Sequence, residues 1–117
     1  MAERLVFEKS NRFAIRILKM YKYLTEEKRE HIISKQVLRS GTSIGANLAE
    51  AEYAVSPADF LNKNSIALKE CSETLYWLNL LKEAGFLDEN AAQSIMSDCE
   101  ELLRMLISIV KTLKSSK

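Results

Sequence analysis

Residues 56–85 read SPADFLNKNSIALKECSETLYWLNLLKEAG, and this stretch decides the fold class. Ser56 offers a side-chain oxygen to the first turn of a helix. Pro57 then stands at the first helical position, where a missing N–H costs nothing, and Asp59 puts an acid where a capping box wants one. Phe60, Ala67, Cys71, Leu75, Leu78 and Leu81 follow with the period of an α-helix. Nothing interrupts them before Gly85, which supplies the left-handed stop after Ala84. A helix of roughly 28 residues is about 42 Å long at 1.5 Å per residue. Such a segment belongs to a protein built from long helices.

The rest of the chain agrees. Only three glycines and one proline occur in 117 residues, too few for the frequent turns of an all-β domain. A first helix is expected from about Phe7 to Leu24, with Phe13, Ile17, Met20, Tyr21 and Leu24 on one face, and a second from about Lys28 to Tyr53. Asp88 caps a fourth, whose stripe is Ile95, Cys99, Leu102, Leu106, Ile109 and Leu113. Short connections make neighbours antiparallel. The expectation is an all-α, antiparallel up-down four-helix bundle, one domain over residues 1–117. With 47% hydrophobic and 28% charged residues the chain is globular rather than disordered. The start of the chain has no apolar signal region and no run approaches the ~20 residues of a membrane span. A cytoplasmic protein with two free, buried thiols, Cys71 and Cys99, is the reading.

The second helix departs from a plain bundle. Its glycines each cost about 1 kcal/mol relative to alanine, yet Gly41, Gly45 and Ala49 recur at every fourth position and form a bare groove. Such a groove admits a second backbone, either within the chain or from another subunit. Ile33, Val37, Ile44 and Leu48 form the core stripe beside it. Gln36, Arg39, Ser43, Asn47 and Glu50 make a polar strip, read as satisfied across a subunit contact or by a ligand, with a merely solvated face as the rival. On the third helix, Ile66, Trp77, Leu80 and Ala84 form a second apolar face with Glu70 and Glu73 among them. Trp77 is then an interface anchor or an overhanging core residue, and self-association is expected.

Charge is dealt unevenly although the net charge is only +1. Residues 4–22 carry +5, residues 48–101 carry −8, and residues 102–117 carry +4. Lys9, Arg12, Arg16 and Lys19 share an arc of the first helix away from its apolar face. An antiparallel fourth helix brings Lys111, Lys114 and Lys117 near the start of the first. This basic region can meet nucleic-acid phosphates, or it can solubilise the protein or face an acidic helix of another subunit. Catalytic inventory is thin. His31 is the only histidine, and no Cys–His pair, Ser–His–Asp set, phosphate loop or inward Glu-x-x-His pair can be assembled. Glu50, Glu70 and Glu73 could converge, but pairing with Arg39 or Lys69 is the simpler fate. No enzyme, cofactor, metal or small-molecule substrate is expected.

The run Arg39-Ser40-Gly41-Thr42-Ser43-Ile44-Gly45-Ala46-Asn47-Leu48-Ala49-Glu50-Ala51 resembles the second helix of the 23S ribosomal RNA intervening-sequence proteins. Their acid-Phe pair is matched by Asp59-Phe60, and a later stretch by residues 66–78. Leu48 replaces the usual isoleucine, Ala51 stands where many members have glycine, and Asn62-Lys63-Asn64 differs from the common pattern. The resemblance implies a left-handed up-down bundle assembling as a five-membered ring. Some members are encoded in inserts within ribosomal RNA genes, and a related group of retroelement accessory proteins works with a reverse transcriptase and nucleic acid. The function expected is a non-enzymatic homo-oligomer, a pentamer, that binds RNA or DNA through the basic face of helix 1. The rival is a structural ring without a nucleic-acid role.

Overall fold

The helix announced by Ser56 forms as read. In the computed structural model, which describes residues 2–116, Ser56 Oγ accepts the Asp59 N–H at 3.0 Å and Pro57 opens α3 (Pro57–Glu83). The helix stops at Ala84, and Gly85 takes a φ of 84°, where a side chain would be strained. Asp88 caps α4 (Glu89–Ser115) by accepting the Ala91 N–H at 2.8 Å. Among the described residues there is no strand.

Both remaining helices differ from the expected bounds. α1 spans Ala2–Glu26, because Val6 lies two turns before Phe13 on the same face and is wholly buried. The apolar stripe thus starts earlier than Phe7. α2 spans Ile33–Ala51, shorter than the expected 28–53. Arg29 turns the chain with a φ of 55°, and Glu30 then starts the helix from upstream. Its carboxylate accepts the N–H groups of Ile32, Ile33 and Ser34, while Ser34 Oγ donates to the Glu30 carbonyl at 2.8 Å. Three of the orphan donors at this helix start are met by one side chain. Burial opposes ionisation of Glu30, but the Ile33, Ser34 and Ile32 N–H groups outweigh it, so its carboxyl is held below 4.5.

The four helices pack in a cycle, α1 on α2, α2 on α3, α3 on α4 and α4 on α1, leaving α1 and α3 on one diagonal. Lys9 meets Glu101 and Arg16 meets Asp98, while Arg39 meets Glu70 and Glu50 meets Lys63. Partner numbers fall as the first number rises, the order of oppositely directed neighbours. The molecule is a rod of 47 × 21 × 19 Å. Val6, Phe13, Ile17, Met20 and Leu24 of α1 face Val37, Ile44 and Leu48 of α2, with Ala67, Cys71, Leu78 and Leu81 of α3 and Ile95, Cys99, Leu102 and Leu106 of α4 closing the core. Tyr21, Ile33, Leu75 and Leu113, placed by periodicity among the buried residues, are only half-buried at the stripe edges. No helix among the described residues is long and apolar enough to cross a membrane.

Candidate binding surfaces

The bare groove of α2 is filled from inside the chain. A Cβ added at Gly41 would lie 2.9 Å from Ile17 Cγ1, and one at Gly45 would lie 3.1 Å from Ser10 Oγ and 3.3 Å from Asn11 Oδ1. Both glycines are buried against α1. The close packing is therefore a crossing of α2 over α1, and these two positions do not offer a surface to another subunit. Ala49 does not continue the groove. It is exposed, because the stripe of every fourth residue drifts around a 3.6-residue helix and leaves the α1 contact after two steps.

The polar strip of α2 is likewise met within the chain. Arg39 reaches both Glu70 and Glu73 of α3, at 3.2 Å from Glu70 Oε1, and Glu73 also accepts the indole N–H of Trp77 at 2.8 Å. Ser43 donates to the Arg39 carbonyl and Asn47 to the Ser43 carbonyl, each closing a local turn. Lys63 closes on Glu50 at 2.6 Å, and its ammonium is held charged to a higher pH than usual by that carboxylate. Beneath the strip the Ser40 and Thr74 hydroxyls lie 2.8 Å apart, buried. Glu50, Glu70 and Glu73 thus face cations rather than one another. Gln36 is exposed, as is His31 in the preceding loop.

Trp77 is half-buried against the core and edge-on to Tyr76, with ring centroids 5.0 Å apart. Ile66 and Leu80 beside it are also half-buried, and Ala84 is exposed. The second apolar face of α3 is therefore only partly covered, with Trp77 tied to Glu73 and through it to Arg39 of α2. Exposed apolar groups cluster elsewhere. Ile15 and Leu18 are 53% and 51% exposed one turn apart on α1, while Tyr76 and Ile107 are open on α3 and α4. The signal for Ile15 and Leu18 was present in the sequence as a second apolar pair off the main stripe of α1.

The basic arc of α1 is divided in two. Lys9 pairs with Glu101 at 3.3 Å, and Arg16 pairs with Asp98 at 2.6 Å while donating to Ser94 Oγ at 3.0 Å. These two cations brace α1 on α4. Arg12 and Lys19 are exposed and make no ion pair among the described residues. Of the four side chains expected to seek phosphate, Arg12 and Lys19 are left unpaired among the described residues, and Lys9 and Arg16 are engaged by acids of α4. Spacing on α1 could not show this, since the acids come from residues more than 80 positions away. Of the α4 cations expected beside the start of α1, Lys111 and Lys114 follow the α4 residues that share a hollow with Ala2, namely Arg104, Met105, Ser108 and Ile109, and Lys117 is outside the described residues.

Cys71 and Cys99 meet at the α3–α4 contact, with sulfurs 3.9 Å apart and both thiols free and buried. The Cys71 side chain and burial together push the Cys99 thiol strongly up, so it stays protonated. No cluster of three metal-ligating side chains is present among the described residues.

Four long helices joined by short turns, with a glycine crossing of α2 over α1 and an Arg39 network between α2 and α3, define an all-helical bundle protein. The family model described as 23S rRNA-intervening sequence protein matches residues 3–108, and the chain belongs to that family. A solved structure of a protein of unknown function from the S23 ribosomal protein family of Bacteroides thetaiotaomicron is similar throughout, at 51% identity and a TM-score of 0.92. The match covers 95% of this chain and 99% of that one. None of the curated proteins compared matches the chain.

Proposed function

We propose that the protein is a non-catalytic assembly module, a cytoplasmic homo-oligomer of left-handed up-down bundles in which five copies close a ring. The observation that carries this reading is the placement of exposed apolar side chains on diagonal sides of the rod. Ile15 and Leu18 lie on α1, and Tyr76 lies on α3 across the bundle. Different patches on opposite sides suit a head-to-tail contact, which generates a ring when the rotation closes. Light scattering tests it. A mass near five times the 13.4 kDa of the chain is expected, and a single-chain mass at micromolar concentration would overturn the proposal.

A second reading, contact with RNA or DNA backbone, is favoured by Arg12 and Lys19, exposed cations with no acid partner among the described residues. The family description names 23S ribosomal RNA, which agrees with this reading without establishing it. Each neutralised duplex phosphate contributes a slope of about −0.9 to log K against log salt. Contact through Arg12 and Lys19 alone therefore predicts a slope of about −1.8 per engaged subunit, whereas all four cations of the arc would give about −3.6. A steeper slope, or no binding at low salt, rejects this assignment of Arg12 and Lys19.

A further inference from the structure

At the end of the rod where α1 stops and α4 starts, a hollow of about 340 Å³ opens beside the basic arc. That volume is within the size of small-ligand pockets, roughly 300–1,000 Å³. Its floor is the edge of the core itself: Met20, Leu87 and Ile95, each buried. Its rim is polar and mixed in charge. Lys19 is exposed and makes no ion pair among the described residues, whereas the Arg16 guanidinium is already held by Asp98 and Ser94. Asp88 stands on the rim with one oxygen accepting the Ala91 N–H at 2.8 Å, and a carboxylate has further lone pairs to offer. Tyr23 completes the rim and is 42% exposed.

These walls select among ligands. A simple anion meets Asp88, a simple cation meets Lys19 and Arg16, and a hydrocarbon uses the floor alone. The ligand that suits them all has an anion at one end and a flat, neutral, N–H-bearing body at the other, which is the form of a nucleotide. The cation strip also continues past the hollow. Arg12, exposed and unpaired among the described residues, precedes Lys19 by about 10.5 Å of helix axis. Such a strip suits a chain of phosphates, whereas a free amino acid carries both charges on one carbon and leaves Arg12 unused. We propose that the hollow takes one unpaired guanine base of a single-stranded nucleic acid. The base lies on Met20, Leu87 and Ile95 with Tyr23 against its face, its N1–H and N2–H groups donate to Asp88, and the adjoining phosphate meets Lys19. Guanine fits because its pairing edge presents two neighbouring donors to one carboxylate. A base inside a duplex is excluded, since that edge is occupied and both faces are stacked. The proposal rests on the reading of Arg12 and Lys19 as phosphate contacts and adds base selection to it.

The test titrates GMP, IMP and guanosine into labelled full-length protein by NMR. IMP lacks only the N2 amino group, and guanosine only the phosphate. Shifts centred on Met20, Tyr23, Leu87, Ala91 and Ile95 are expected, with GMP binding roughly 10-fold tighter than IMP, the worth of a hydrogen bond to a charged acceptor. Guanosine should bind roughly 3-fold more weakly than GMP at low salt, and the gap should close as salt rises. Asp88→Asn keeps a good helix cap and should bring GMP and IMP together. Ala91→Phe, at an exposed position on the wall, should abolish the shifts. Equal binding of GMP and IMP to the parent, or no shifts at these residues, overturns the proposal. Single-stranded octamers of RNA and DNA, with guanine or another base at one position, then separate the sources: a guanine preference in either supports the proposal, and the tighter strand names the source. Octamers that lose affinity in the Arg12→Ala/Lys19→Ala variant yet show no base preference leave the phosphate reading standing and sink the hollow, whereas no octamer binding at low salt sinks both.

Discussion

Gly41 and Gly45 carry different loads although they sit one turn apart. An added methyl at Gly41 meets three atoms of the wholly buried Ile17, at 2.9, 3.1 and 3.2 Å, which cannot swing away. At Gly45 the nearest atom, at 3.1 Å, is the hydroxyl of Ser10. Gly41→Ala is expected to lose about 1–2 kcal/mol, since overpacking exceeds the alanine helix preference of about 1 kcal/mol. Gly45→Ala should stay within about 1 kcal/mol of the parent, where helix preference offsets a small adjustment. Urea midpoints of the two variants check the order. Glu30 acts at the same scale. Its folded pKa lies below its unfolded value, so its stabilisation is present above about pH 4.5 and lost as pH falls through the lower, folded value. Glu30→Gln should cost about 1 kcal/mol at pH 7, as a lost helix cap does. It should also show a smaller fall in stability between pH 6 and the acid limb, read by denaturant titration at a series of pH values.

Between helices, charge and sulfur act as seams. Lys9 and Arg16 tie α1 to α4 and leave Arg12 and Lys19 outward. The two pairs are partly exposed, so each contributes little to stability, about 0–1 kcal/mol. Their consequence for binding is larger. Arg12→Ala with Lys19→Ala should remove any salt-sensitive affinity for nucleic acid, whereas Lys9→Ala with Arg16→Ala should leave Asp98 and Glu101 unpaired and weaken binding through repulsion. A filter-binding salt series on the two double variants distinguishes these routes; equal slopes for both would refute the division of the arc. Across α3 and α4, Cys71 and Cys99 are both buried, and the Cys99 thiol stays protonated. Thiol alkylation should follow the global unfolding rate, and rapid labelling of the native protein at neutral pH would contradict that burial.

At the scale of the whole rod, the polar network of α2 and α3 and the glycine crossing hold a single chain together. In the assembly proposed above, contact falls to exposed apolar side chains instead. Replacing Ile15 and Leu18 together by Asp should lower the assembled mass without loss of helix content, because both side chains are half in water in the single chain. Trp77→Ala, in contrast, should destabilise the bundle itself by about 3 kcal/mol or less, since the indole is only half-buried and bonded to Glu73. Circular dichroism and light scattering on the two variants separate folding from assembly.

Local chemistry made four helices legible from the chain alone. Ser56, Pro57, Asp59, Gly85 and Asp88 act on backbone groups a few residues away, and apolar spacing reports a helix face without knowledge of its neighbour. The Gly41-Gly45 pair was likewise visible as a close approach. What approached it was decided by tertiary structure, because the partner, Ile17 with Ser10, is far along the chain and belongs to the same molecule. The same holds for Arg39 with Glu73, Arg16 with Asp98 and Cys71 with Cys99. Charge and polarity are properties of a residue, but whether they are free for a partner depends on which distant residue the packing has already set beside them.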